Sequence, residues 1–375
     1  MTSVLVVAGE ASGDRAAAPV VARLVARGVD VFGMGGRAML AAGADLVARL
    51  EDTTAVGVGE VARRAFSIAS ARTKIELEAR RRKPAAALLV DYTEFNTTVA
   101  RTLKPRGVRV LWYVAPQIWA WRPGRASSLA KIVDRVAVIL PFEEALWRAH
   151  GVDARYVGHP ALEDAPRPRT ESREKLGLTQ LARAVAILPG SRPHEVRRLL
   201  TPMLEAYEIV RRDHASLDAR LMVASSLDPG TRAWAQEQAR SRHIGVTAVD
   251  ATRGAYEHLA AFDAALCASG TASLEAALAG ATPIVAYRVG LATELIVRPL
   301  ITTPHIALPN VLLGRRAFPE LLQRKVRTSQ LVRALESALG KERSAMVAAC
   351  AELLPLFGDR RRASFEVAAM LEPWL

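Results

Sequence analysis

Short β-rich apolar runs, each closed by a turn cluster and followed by a helical stretch, recur along the whole of this 375-residue chain, and that rhythm limits the fold more than any other feature. The first half carries such runs at residues 4–8, 29–32, 86–90, 108–114 and 133–139. They are continuous rather than alternating, the pattern of strands covered by helices on both faces, so a parallel sheet of strand–helix–strand units is expected. The rhythm breaks over residues 160–170, where three prolines and no apolar periodicity mark a linker. It restarts at 184–188, 219–224, 245–249, 264–268 and 283–287, interleaved with helices over 195–213 and 271–279. Two doubly wound α/β domains follow, with ligands expected at the carboxyl ends of the strands.

Half the residues are apolar and 24% are charged, enough at this length to bury a core in each domain. Cys267 and Cys350 stand far apart without a CxxC or a Cys/His cluster, which argues against a disulfide framework or a zinc site and fits a reducing compartment. The seven histidines show no ligand spacing, so neither a metal nor another cofactor is expected. The opening residues lack a basic leader and a cleavage pattern, and no stretch nears the roughly 18 uninterrupted apolar residues of a spanning helix. A formal net charge of +13 asks for an anionic partner: nucleic acid, nucleotide phosphates or an acidic membrane face. No nucleic-acid-binding module accompanies the charge, so nucleic acid is not expected. Arg63, Arg64, Arg72, Lys74, Arg80, Arg81, Arg82 and Lys83 interleave with Phe66, Ile68 and Ile75. That mixture suits a helix lying on anionic lipid and equally a solvated helix of an arginine-rich protein.

The first strand runs into Gly9-Glu10-Ala11-Ser12-Gly13-Asp14 and a helix, but without the GxGxxG spacing of a dinucleotide loop, which removes NAD binding. Backbone N–H groups at this helix start suit an acceptor's phosphate or hydroxyls; a purely structural tight turn is the other reading. Gly33-Met34-Gly35-Gly36 reads as a similar turn after the second strand. Asp91 directly follows the run 86–90, at the carboxyl end of a parallel strand. A carboxylate there can take the proton of an attacking sugar hydroxyl, its basicity raised by desolvation; capping the helix that opens near Thr93 is the competing role, and Glu10 and Glu94 are rival carboxylates. The next loop gathers Trp112, Tyr113, Gln117, Trp119, Trp121 and Arg122 in a chain with 5% aromatics. Such rings either stack on sugars or bury in the core.

In the second half, the run 184–188 leads into Gly190-Ser191-Arg192-Pro193-His194-Glu195. Open N–H groups at Gly190 and Ser191, with the donor fork of Arg192, predict diphosphate binding; an Arg192–Glu195 pair at the helix start is the alternative. The run 264–268 ends in Ser269-Gly270-Thr271-Ala272, and Glu275 lies one turn beyond Thr271 on the same face. A helix starting there attracts phosphate, and its carboxylate can accept both hydroxyls of a ribose. Asn310 offers an amide to a uracil edge or the diphosphate, and Arg288 adds charge against a departing diphosphate. The tail 329–375 reads as helical, with breaks near Gly340 and Gly358, and is expected to pack across both domains.

Taken in order, GEASGD (9–14), GMGG (33–36), VDYTEFN (90–96), YVAPQIWAWR (113–122), LPFE (140–143), VGHP (157–160), LPGSRPHEV (188–196), SGTASLEAAL (269–278), LPNVLLG (308–314) and PELLQ (319–323) closely resemble the loops of the lipid-A-disaccharide synthase family, along nearly the whole chain. The resemblance implies a GT-B fold: two Rossmann-like doubly wound α/β domains facing across a cleft, with an acceptor domain over 1–165, a UDP-sugar domain over 166–355 and a helix over 356–375 returning to the first. It further implies a metal-independent, inverting glycosyltransferase on the cytoplasmic face of a Gram-negative inner membrane. Such an enzyme joins UDP-2,3-diacylglucosamine to 2,3-diacylglucosamine 1-phosphate (lipid X) through a β-1,6 linkage and releases UDP. By position, Asp91 matches the family's base, Arg192 and Asn310 match residues important for activity, and Glu275 with its loop matches the UDP site. Gly9, Glu10, Ser12, Gly13, Asn96, Gln117 and Trp119 are then expected to face the acceptor. Gly190, Ser191, Arg192, Glu195, Ser269, Gly270, Thr271, Ala272, Glu275, Arg288 and Asn310 are expected to face the nucleotide. Thr93 and Glu94 replace a proline and an aspartate common in the family, and the helix over 66–78 is less apolar than the family's membrane patch, so arginine-rich electrostatics would substitute for apolar area. A UDP-N-acetylglucosamine 2-epimerase shares the fold and nucleotide site without an acceptor; the aromatic loop speaks against it. A homodimer through the C-terminal helices stays open.

Overall fold

A computed structural model describes residues 2–50, 60–120, 123–214, 216–250, 252–290, 294, 301–358 and 362–375. Trp121 and Arg122 of the aromatic loop lie outside them, as do the side chains of Arg63 and Arg64. The chain divides into two compact units, Met1–Asp164 with Asp359–Leu375, and Ala165–Gly358.

In the first unit β1 (Ser3–Ala8), α1 (Ala11–Val25), β2 (Asp30–Gly35), α2 (Arg37–Ala41), β3 (Asp45–Arg49), α3 (Glu60–Arg82), β4 (Ala86–Val90), α4 (Thr93–Leu103), β5 (Arg109–Tyr113), α5 (Ala126–Ala130), β6 (Arg135–Val138), α6 (Glu143–Arg148) and β7 (Asp153–Tyr156) alternate. The strands form one parallel sheet in the order β3-β2-β1-β4-β5-β6-β7, which reverses direction between β1 and β4. Val4, Leu5, Val6, Val7 and Ala8 are all 0% exposed, so both faces of the central strand are covered, as its unbroken apolar run predicts.

The second unit holds α7 (Arg169–Leu176), β8 (Ala184–Leu188), α8 (Pro193–Asp213), β9 (Asp218–Ala224), α9 (Pro229–Arg240), β10 (Gly245–Val249), α10 (Tyr256–Leu259), β11 (Ala264–Ala268), α11 (Thr271–Leu278), β12 (Thr282–Tyr287), α12 (Leu308–Leu313), β13 (Glu320–Leu322), α13 (Thr328–Leu339) and α14 (Arg343–Leu356). Its parallel sheet runs β10-β9-β8-β11-β12-β13. The chain ends in α15 (Ala363–Leu371), which packs on α1 of the first unit. The Glu163 carboxylate accepts the Ser364 backbone N–H at 3.1 Å, and Arg135 donates to the Met370 carbonyl at 2.6 Å while its guanidinium lies 4.6 Å from the Trp374 ring. Apolar burial of Val367, Met370 and Leu371 completes the seam.

Three strands, β3, β7 and β13, escaped the sequence reading, and all three are sheet edges. Edge strands are half-exposed and short, so they lack the continuous apolar run that betrays a central strand. Two turn assignments also shift. Gly33, Met34 and Gly35 belong to β2 rather than to a turn, with a register irregularity against β3 at Gly33/Met34. Helix α1 opens at Ala11, so Ser12 and Gly13 lie in its first turn and only Gly9-Glu10 forms the connection.

Candidate active site

Because β4 pairs with β1 on one side and β5 on the other, the loops leaving their carboxyl ends are neighbours, and the turn after β6 comes next. Asp91, Tyr92 and Val114, at these exits, adopt left-handed backbone with φ of 50°, 47° and 56°. Such a conformation costs roughly 1–3 kcal/mol per residue, and outliers of this kind persist where the surroundings hold them, most often at functional sites. The hold is visible: Asp91 N–H donates to the Tyr113 carbonyl at 3.0 Å, and Val114 N–H to that of Ala137 at 3.2 Å. The Asn96 amide donates to the carbonyls of Val90 at 3.2 Å and Asp91 at 2.8 Å.

Asp91 is half-buried at the exit of β4, and Tyr92 rather than Asp91 occupies the N-cap position of α4. Of the rival carboxylates, Glu94 is exposed and paired with Arg125 at 2.7 Å, while Glu10 stands at the start of α1. Gly9 is required by close approach: a Cβ there would lie 1.8 Å from the Tyr92 ring, which seals the first loop against the Asp91 turn. Asn96 is 0% exposed, so the acceptor contact expected of it is not open to its side chain; it braces the strained turn from below.

The aromatic loop divides. Trp112 and Tyr113 are buried in β5, and burial drives the Tyr113 hydroxyl pKa well above its ordinary value. Among the described residues the expected wall therefore reduces to half-buried Trp119 and exposed Gln117. Trp119 meets Phe142 edge-on at 5.3 Å and donates its Nε1–H to Glu143 Oε1 at 2.9 Å. Glu143 is 2% exposed, and burial pushes its carboxyl up to about 7 against the opposite pull of Trp119 and the Leu140 and Ile139 backbone N–H groups.

Two side chains here were not singled out from sequence. One is Glu143. The other is Asp14, whose Oδ1 accepts N–H groups of Gly36 at 2.7 Å and Met39 at 3.2 Å while Oδ2 accepts that of Ala38 at 3.0 Å. Asp14 thereby caps α2 and ties the two glycine-containing motifs into one unit. That tie spans 22 residues, which no local pattern reveals.

In the second unit β11 lies between β8 and β12, with Leu188 opposite Cys267 and Ala268 opposite Ala286. The Gly190-Ser191-Arg192 turn, the Ser269-Gly270-Thr271-Ala272 turn and Arg288 therefore leave one edge of the sheet side by side. Gly270 has φ 146° and ψ −159°, a conformation essentially restricted to glycine, and it is exposed at the start of α11. Glu275 is 7% exposed one turn along that helix. Arg192 takes the alternative pairing: its guanidinium meets Glu195 Oε1 at 3.1 Å, and its backbone N–H donates to Oε2 at 3.3 Å. Glu195, buried beneath the Gly190 turn, is thus a brace rather than a surface open to ligand, whereas the Arg192 side chain stays 48% exposed. Burial raises the Tyr287 hydroxyl pKa, and Glu195 adds to the rise while Arg192 opposes it, which puts this unremarked tyrosine beside the pair.

Asn310 departs furthest from expectation. It is 0% exposed; its amide donates to the Phe318 carbonyl at 2.9 Å and to Glu320 Oε1 at 2.7 Å, and its oxygen accepts the N–H groups of Ala317 and Phe318, both at 2.9 Å. No polar atom remains for uracil or diphosphate, so Asn310 ties α12 to the segment that leads from it into β13. Gln323 does similar service next door, its Oε1 accepting the Val289 N–H at 3.0 Å just after Arg288. Among the described residues no group of His, Cys, Asp and Glu could hold a metal ion.

The model of the family described as lipid-A-disaccharide synthetase matches residues 4–363. A lipid-A-disaccharide synthase of Myxococcus xanthus (strain DK1622) is 40% identical, covering 98% of this chain and 97% of the relative. That of Syntrophus aciditrophicus (strain SB) is 41% identical, covering 90% and 88%. Among solved structures, the UDP-GlcNAc 2-epimerase of Neisseria meningitidis bound to UDP-GlcNAc superposes with a TM-score of 0.69 at 12% identity, covering 99% of this chain and 100% of that one. The spinosyn rhamnosyltransferase SpnG gives 0.59 at 14% identity, covering 99% and 100%. Identities this low establish the two-domain GT-B architecture alone, which epimerases and transferases share, so the higher score of the epimerase does not choose between them. The sequence relatives do, and the chain belongs to the lipid-A-disaccharide synthase family, glycosyltransferases of lipid A biosynthesis.

Proposed function

We propose that the carboxyl edge of the first unit binds lipid X and that of the second binds UDP-2,3-diacylglucosamine. The observation that carries this reading is the strained, half-buried Asp91 at the exit of β4, next to the β5 exit whose loop carries Trp119 and Gln117, matched in the second unit by adjacent anion-suited turns at Gly190 and Gly270. Glu10 at the N-cap and Ser12 in the first turn of α1 add to the acceptor surface, whereas Gly13 is buried, so the acceptor contact expected of it is not open. Asp91 takes the proton from the acceptor's 6-hydroxyl as that oxygen attacks the donor's anomeric carbon. The bond from that carbon to the diphosphate oxygen breaks on the opposite face, and UDP leaves with the electron pair, which inverts the configuration and requires no covalent intermediate. Arg192, Arg288 and the backbone N–H groups at the start of α11 meet the charge that develops on the diphosphate. Mass spectrometry of a reaction between the two acylated sugars checks the reading: disaccharide 1-phosphate and UDP are expected, and an epimerised donor without an acceptor would overturn it.

Arg192→Ala removes a charge-assisted fork worth about 1.5–3 kcal/mol, so calorimetry is expected to show UDP binding weakened roughly 10- to 100-fold. Unchanged affinity would reject the phosphate role of this side chain.

The membrane-facing element of this reading is α3. Phe66 and Leu77 are 77% and 63% exposed, on one stripe with exposed Thr73 and Arg80. Ile75, by contrast, is in the core, and Arg82 is drawn to Asp30, Asp45 and Glu78. Two exposed apolar side chains add a few kcal/mol at most; Arg72 and Arg81 are paired with Glu76 and Glu78, which leaves Lys74, Arg80 and Lys83 to add about 1 kcal/mol each near an anionic surface. The charged share is the part that salt screens. Co-sedimentation with phosphatidylglycerol vesicles at low salt, lost at high salt, is expected; no binding at low salt counts against it. No described helix is long and apolar enough to cross a membrane. Exchange of α15 between two copies would preserve every contact that seats it on the first unit.

A further inference from the structure

We propose that Glu143 is the positioning residue of the acceptor surface: its carboxylate, rooted in the turn after β6, holds the Trp119 ring in the neighbouring loop after β5 at the angle at which it meets the acylated sugar. The inference rests on the reading of Trp119 as an acceptor contact.

Burying a carboxylate is costly unless its oxygens are occupied, and a leucine or methionine would fill the same volume without that cost. Glu143 is buried, and the hydrogen bonds it accepts come from neutral N–H groups, with no cation among the causes that set its pKa. Packing therefore does not account for a charge-bearing group here, whereas the geometry of its bonds does. Oε2 accepts the Leu140 N–H at 3.1 Å, which roots the carboxylate in its own turn, and Oε1 accepts the indole N–H at 2.9 Å. The adjacent Phe142 sets the ring from a second direction by its edge-on contact. One turn thus supplies both a hydrogen-bond acceptor and an aromatic edge to a single half-buried ring whose neighbour Gln117 is exposed.

The test is steady-state kinetics with both substrates at pH 8, with thermal melts as a folding control. Trp119→Phe removes the N–H together with part of the ring and is expected to raise the KM for the acceptor at least fivefold, with kcat and the donor KM within twofold of wild type. Glu143→Gln leaves the whole ring but offers one acceptor oxygen to N–H groups that approach from two sides; it is expected to give the same split. The double variant should be no worse than Trp119→Phe alone, because the bond that Glu143→Gln weakens is already gone. Trp119→Ala, which removes the ring, should raise the acceptor KM further. If Trp119→Phe keeps the wild-type acceptor KM while Trp119→Ala loses it, the ring needs no help from Glu143 and the proposal falls while the acceptor reading stands. If Trp119→Ala also keeps it, the acceptor reading of this loop falls and takes the proposal with it. Even if Glu143→Gln does not fold, a wild-type acceptor KM in Trp119→Phe overturns the proposal.

Discussion

Asp91→Asn lowers kcat by about 10²- to 10⁴-fold while the protein folds and binds UDP as before, the loss expected when a positioned general base is removed. Asparagine is the informative replacement because the turn demands it. Asp91 sits at φ 50°, a region that asparagine enters nearly as readily as aspartate and alanine does not. The backbone bonds at this position, from its N–H to Tyr113 and from the Asn96 amide to its carbonyl, do not involve the carboxylate and survive the change. A melt that matches wild type together with turnover near wild type would remove Asp91 from the mechanism and return attention to Glu10.

The largest loss of stability is expected far from the chemistry, at Asp263. This carboxylate, 7% exposed at the entrance to β11, accepts from Arg169 at 3.0 Å, Arg173 at 3.1 Å, Arg343 at 3.2 Å and the Ala184 backbone N–H at 2.9 Å. Arg173 is itself 0% exposed and spends its remaining donors on the carbonyls of Ala261, Thr179, Gln180 and Ala182. Asp263→Ala strands that buried guanidinium without a counter-charge, and breaking such a pair costs about 3–5 kcal/mol. Set against a total of about 5–15 kcal/mol for a domain, this is a severe loss, expected as a fall in melting temperature of roughly 6–20 °C. Five strand residues separate Asp263 from the Ser269 turn, about 17 Å at the usual rise, so UDP affinity of the folded fraction is expected to be unchanged. A loss below about 1 kcal/mol would show that the remaining carbonyls satisfy Arg173 by themselves.

The central strands were legible because burial on both faces writes an unbroken apolar run into local sequence. The runs at 86–90, 184–188 and 264–268 coincide with β4, β8 and β11, and the run at 245–249 coincides with β10 although that strand is a sheet edge. The exits that follow them were legible for a related reason: parallel strands place their carboxyl-end loops on one edge, whereas the crossover that seats β11 beside β8 is what brings the turns at Gly190 and Gly270 together. Edge strands β3 and β7 left no comparable mark because they carry exposed residues, and β13 left none because it has only three residues.

What sequence alone determined, then, is the parallel α/β architecture, the loops that carry the candidate chemistry and, through their combination, the family. Only the tertiary structure decided which polar side chains in those loops face outward. Asn96 and Asn310 sit within motifs that look functional, yet both are sealed and spend their amides on backbone carbonyls or a buried carboxylate. Asp14 reaches across 22 residues and Glu143 across 24 to their partners. The reason is physical: a hydrogen-bonding group in a core must find its partner wherever the folded chain brings one, and that partner's distance along the sequence is set by packing rather than by local spacing.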